Sequence, residues 1–143
     1  MVELTSEDLS YFSNFEKITG VMPVDYINTE TILIFLVDMK ELGKAIGIKG
    51  TNIERLKMTM RKKVVVVADS NELETFVRQF FSNIGIVSVE IRDVMGEQNV
   101  ILTVEDKDRG IAIGKEGERI KAAKLLLKKK FNATVMIRTR RTM

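Results

Sequence analysis

The 143-residue chain is 45% hydrophobic and 30% charged with a single proline, enough apolar content to bury a core and the wrong composition for a disordered tail or linker. It has no cysteine and no histidine, which excludes disulfides, thiolate nucleophiles, sulfur-ligated metal centres and the commonest general base, so no enzyme, cofactor or metal is expected. The acidic start Met1–Asp8 lacks a secretory signal, and the longest apolar run, Ile32–Val37, falls far short of the roughly 20 residues of a membrane span. A cytoplasmic protein is expected.

In chain order, Thr5-x-x-Asp8 is a capping signal ahead of a helix that runs past Phe12, Phe15 and Ile18 to Gly20. Val21–Ile27, with Pro23 near its start, reads as an edge strand, and the β-branched and aromatic run Thr31–Val37 as a buried one. A short helix over Met39–Ile46 stops at Gly47, and a second opens at Thr51 or Asn52 with Ile53, Leu56 and Met60 on one face. Val64–Val67 closes the unit as a buried strand.

The order then repeats. An Asn71-x-x-Glu74 box predicts a helix from Glu72 to about Asn83, followed by strands at Ile86–Arg92 and Asn99–Glu105. A short helix near Arg109–Ile113, a turn at Gly114–Gly117, a helix over Glu118–Lys129 and a strand at Ala133–Arg138 complete it. The expected fold class is α+β, two tandem αββααβ domains at 1–69 and 70–143, each a small three-stranded mixed sheet packed on one face by helices.

An offset of 67 residues superposes Gly43–Ile53 on Gly110–Ile120 with six of eleven positions identical, the glycines among them. Two copies are too few for a solenoid and indicate a duplicated domain. Charge follows the same division, because residues 1–38, 39–68, 69–106 and 107–143 carry nets of −6, +6, −6 and +9. The overall +3 thus conceals strong segregation, and each basic half holds a G-x-x-G.

Glycines at both ends of a four-residue turn let the backbone adopt φ > 0 and pass close to another chain, while the next helix aims its unpaired N–H groups and positive dipole end at the same place. That environment suits a phosphate. Lys49 and Lys115 add a cation inside the turns; Ile46 with Ile53, and Ile113 with Ile120, offer apolar surface for unstacked bases, although Ile53 and Ile120 also lie on the buried helix face.

The pattern Ala-Ile-Gly-x-x-Gly-x-x-Ile between two helices, present twice, resembles the KH domain, and the order αββααβ resembles its type II variant. Two abutting copies resemble the KH pair of NusA transcription factors, most closely the short archaeal NusA-like proteins. The resemblance implies single-stranded RNA as partner during elongation, termination or antitermination, with RNA polymerase a further expected partner and a monomer the expected state. The positions it carries over as a backbone clamp are Ile46, Gly47, Ile48, Lys49, Gly50 and Ile53, then Ile113, Gly114, Lys115, Glu116, Gly117 and Ile120. Arg55, Arg119 and Lys121 extend the positive track. Glu116 departs from the pattern, since a carboxylate in the clamp repels phosphate unless it faces solvent or pairs with Arg119 or Lys121.

Two other readings compete. Gly110-x-x-x-Gly114-Lys115 superficially matches a nucleotide-binding P-loop, but the glycine spacing is one residue short and Glu116 stands where a magnesium-binding Ser or Thr belongs. The alternative function is a KH-pair scaffold docking on RNA polymerase, or RNA binding in ribosome assembly.

Overall fold

The computed structural model describes residues 5–141, so Met1–Leu4 of the acidic N-terminus lie outside the described residues. The chain divides between Ser70 and Asn71 into two compact units, Met1–Ser70 and Asn71–Met143. Each is α+β with one three-stranded mixed sheet. No helix among the described residues is long and apolar enough to cross a membrane.

The first unit runs α1 (Ser6–Thr19), β1 (Asp25–Asn28), β2 (Ile32–Val37), α2 (Leu42–Ile46), α3 (Thr51–Met60) and β3 (Lys63–Ala68). Thr5 caps α1 in a full capping box with Asp8, and Gly20 ends it in the left-handed conformation. The strand expected from Val21 begins only at Asp25. Pro23 has no N–H to give a ladder, and Val21 is buried as an anchor, its own N–H donating to Thr19 Oγ1 at 3.0 Å. β1 pairs antiparallel with β2, and β3 pairs parallel with it. Alternation along β2 sends Leu33, Phe35 and Val37 into a core shared with Phe15, Ala45, Leu56, Val64 and Val66. Phe15 stacks on Phe35 with ring centres 4.3 Å apart. The helices therefore cover one face of the sheet and carry the α2–α3 turn outward.

The second unit runs α4 (Leu73–Phe80), β4 (Ile86–Val94), β5 (Glu97–Glu105), α5 (Arg109–Ile113), α6 (Glu118–Phe131) and β6 (Ala133–Arg140). The expected Asn71 capping box does not form: the cap is Glu72, in extended conformation and without a side-chain cap bond, and its carboxylate instead accepts from the Thr75 hydroxyl at 2.8 Å. α4 also stops at Phe80, short of Asn83, because the chain tightens into i→i−3 bonds such as Ile84 N–H to Phe81 O. β4 and β5 extend beyond the expected strands to a two-residue turn at Met95-Gly96, both with φ > 0. β6 pairs parallel with β5. On α6, Ala122, Ala123, Leu126 and Leu127 are buried while Lys121, Lys124, Leu125, Lys128 and Lys129 face solvent, the stripe expected of an amphipathic helix.

Candidate nucleic-acid interface

Both turns sit between a five-residue helix and a longer one. Gly47 has φ 81°, ψ 169°, Lys49 φ 54°, ψ 30°, and Gly50 φ 73°, ψ 18°. Their counterparts are Gly114 at 82°, 169°, Glu116 at 54°, 25°, and Gly117 at 74°, 15°. The two copies thus share one backbone conformation. The same pair of hydrogen bonds closes each, Gly47 N–H to Gly43 O and Gly50 N–H to Gly47 O in one, Gly114 N–H to Gly110 O and Gly117 N–H to Gly114 O in the other.

The glycines are required for different reasons. A Cβ on Gly47 would lie 2.9 Å from Asn52 Cγ and 3.0 Å from its backbone N, and one on Gly114 would lie 2.8 Å from Arg119 Cβ and 2.9 Å from its backbone N. The first glycine therefore admits the close approach of turn and helix. Gly50 and Gly117 have no such crowding, and only their left-handed φ favours glycine. α3 and α6 begin immediately afterwards with no side-chain cap, leaving their first-turn N–H groups directed at the turn.

Between the glycines, Ile48, Lys49, Lys115 and Glu116 are exposed, Ile48 at 82%. Glu116 faces solvent and makes no ion pair with Arg119 or Lys121. The Arg119 guanidinium lies over the Phe80 ring at 5.9 Å, and burial lowers its pKa from the ordinary arginine value against the opposing charge of Glu118. Arg55 is exposed on α3, and Lys121 is exposed with its Cε 3.7 Å from where a Cβ on Gly117 would be. Ile46, Ile53, Ile113 and Ile120 are all half-buried, and Ile53 packs against the first core. The structure thus gathers the turn residues and Lys121 at the helix starts, with Ile53 packed on the first core and the Arg119 guanidinium over Phe80.

Two features were missed from sequence. Asn52 Nδ2 donates to Lys44 O at 3.0 Å, tying the start of α3 to the end of α2. Glu54 and Lys57 pair on α3 at 3.5 Å; their opposite charges at i,i+3 were the available signal.

The sequence pattern of the KH domain matches residues 72–141. A probable transcription termination protein NusA from Halococcus morrhuae is 30% identical over 131 residues, covering 92% of this chain and 94% of that protein. The chain belongs to the archaeal NusA-like KH family. A second NusA-like relative, from Thermoplasma acidophilum, bears the same description and is 26% identical over 131 residues, covering 92% and 91% of the two chains. The crystal structure of APE1850 is similar at a TM-score of 0.78 and 40% identity, covering 94% of this NusA-like chain and 99% of that one.

Proposed function

We propose that the chain is an RNA-binding transcription factor acting in elongation, termination or antitermination, and that both units are type II KH domains that clamp the backbone of single-stranded RNA with their G-x-x-G turns. The observation that carries this reading is the shared backbone of the two turns, each opening an uncapped helix inside the basic half of its unit. The relatives described as probable transcription termination proteins support the cellular process. In the first unit the strand lies across Gly47 and Gly50, a phosphate meets the α3 N–H groups and Lys49, and bases rest on Ile46 and the exposed Ile48. Such contacts are sequence-independent and salt-sensitive. The factor works as a monomer, with RNA polymerase as its protein partner.

The test is fluorescence anisotropy with short single-stranded RNAs and matched DNA duplexes across a salt series. Variants carry Asp at both inner positions of each turn, Ile48→Asp with Lys49→Asp, and Lys115→Asp with Glu116→Asp. Preference for single-stranded RNA, lost in the folded first-turn variant, supports the clamp. Wild-type binding by both variants, or no binding near physiological salt, refutes it and leaves the scaffold reading.

A further inference from the structure

The two turns are alike in backbone and differ in charge, since Gly47–Gly50 carries +1 through Lys49 whereas in Gly114–Gly117 the charge of Glu116 cancels that of Lys115. The left-handed inner position is Lys49 in the first and Glu116 in the second. A second exchange, one helical turn further on, runs the other way: Glu54 of α3 corresponds to Lys121 of α6, and Lys57 corresponds to Lys124. In the first unit Glu54 and Lys57 pair with each other, so this helix face adds no net charge beside the turn. In the second, Lys121 and Lys124 are exposed neighbours on one face and make no ion pair among the described residues. Lys121 lies back along α6 toward the turn, its Cε 3.7 Å from the Cβ position of Gly117, whereas nothing lies within 4 Å of the same position on Gly50. Lys128, further along α6, is engaged with Glu97 at 3.7 Å. Beside these two lysines, Leu125 is an exposed apolar residue, as is Met58 at the matching place in the first unit.

We infer that the second unit holds the RNA backbone through Lys121 and Lys124 on the exposed face of α6, and that Glu116 moves the phosphate off the turn and onto this helix. The division of labour follows from the two exchanges: the first unit grips at its turn, where Lys49 stands, and the second grips one helical turn further along. In the second unit Leu125 supplies the apolar surface against which a ribose or base face rests beside the phosphates. This inference rests on the RNA-binding reading above.

The experiment measures single-stranded RNA affinity of the full chain by anisotropy between about 50 mM and about 200 mM salt, for wild type and four variants, with circular dichroism to verify folding. Removing two phosphate contacts, as in Lys121→Gln with Lys124→Gln, is expected to flatten the log–log salt slope by about 1.4, which over this range is about a sevenfold change in the wild-type-to-variant affinity ratio. Glu116→Lys is expected to steepen the slope by about 0.7, one added contact. Lys57→Gln, the matched change in the first unit, is expected to leave it unchanged. If the double glutamine variant keeps the wild-type slope while Ile48→Asp with Lys49→Asp still loses binding, RNA binding stands and the inference falls. An unchanged slope in Glu116→Lys, or a Lys57→Gln loss as large as the double variant's, also overturns it. Absence of RNA binding by wild type, or wild-type binding by both turn variants of the test above, overturns both.

Discussion

Replacing each glycine of the first turn by alanine separates the two reasons for its presence. Gly47, at φ 81°, ψ 169°, occupies a region that is essentially glycine-only, and an alanine there costs up to about 3 kcal/mol in backbone strain. Its Cβ also lands 2.9 Å from Asn52 Cγ and 3.0 Å from the Asn52 backbone nitrogen. Displacing Asn52 loses its bond to Lys44 O, about another 1 kcal/mol. Gly50, in the ordinary left-handed region with no neighbour within 4 Å, costs about 1 kcal/mol on the same change. Both changes gain back about 0.4–1 kcal/mol by restricting the unfolded chain. Gly47→Ala is therefore expected to be about 2–3 kcal/mol more destabilising than Gly50→Ala, roughly 1–2 M in urea midpoint. The chain has no tryptophan, and both tyrosines, Tyr11 and Tyr26, lie in the first unit, so tyrosine fluorescence reads that unit directly. Equal losses in the two variants would refute the assignment of the first glycine to close packing.

Two further outcomes are expected. The Tyr26 hydroxyl donates to Asp8, and burial, followed by that carboxylate, raises its pKa; the unfolded chain then loses this proton first, so stability is retained below about pH 10 and declines above it, a decline that Tyr26→Phe reduces in urea midpoints followed by circular dichroism. At the β4–β5 turn, Met95 is fully exposed with φ 54° beside Gly96 at φ 85°, the geometry that favours Asn-Gly; Met95→Asn is expected to raise the thermal midpoint of the second unit, and a fall would show that the methionine side chain contributes to the fold.

The sequence announces element order well because each boundary has a chemical marker. Thr5 and Asp8 cap α1, Gly20 and Gly47 end helices, and the run Ile32–Val37 has no polar residue to place outside. The misreadings occur where a marker had competition. Asn71 and Glu74 spell a capping box, but Glu72 takes the cap position and spends its carboxylate on Thr75. Pro23 delays β1 because it lacks the donor a ladder needs. In the site, the turns are legible from two glycines and their surroundings, whereas the direction of a long side chain is not. Arg119 reads as a basic residue beside the turn, and only the fold places Phe80 beneath its guanidinium.

The duplication shows which properties of the site tolerate change and which do not. Between the copies the glycines stay in place and the turn dihedrals coincide, while Lys49 and Glu116, and Glu54 and Lys121, exchange sign. Physical ranges explain this contrast. The crowding at Gly47 and Gly114 is set by contacts near 3 Å, so any side chain there collides. Attraction between a lysine and a phosphate decays over about 8–10 Å at ordinary ionic strength, so a cation can shift along the neighbouring helix without an exact contact distance to preserve. Each basic half keeps its excess, +6 and +9, with its individual charges rearranged. A site defined by backbone geometry and a smooth field can therefore relocate its lysines while its glycines stay fixed.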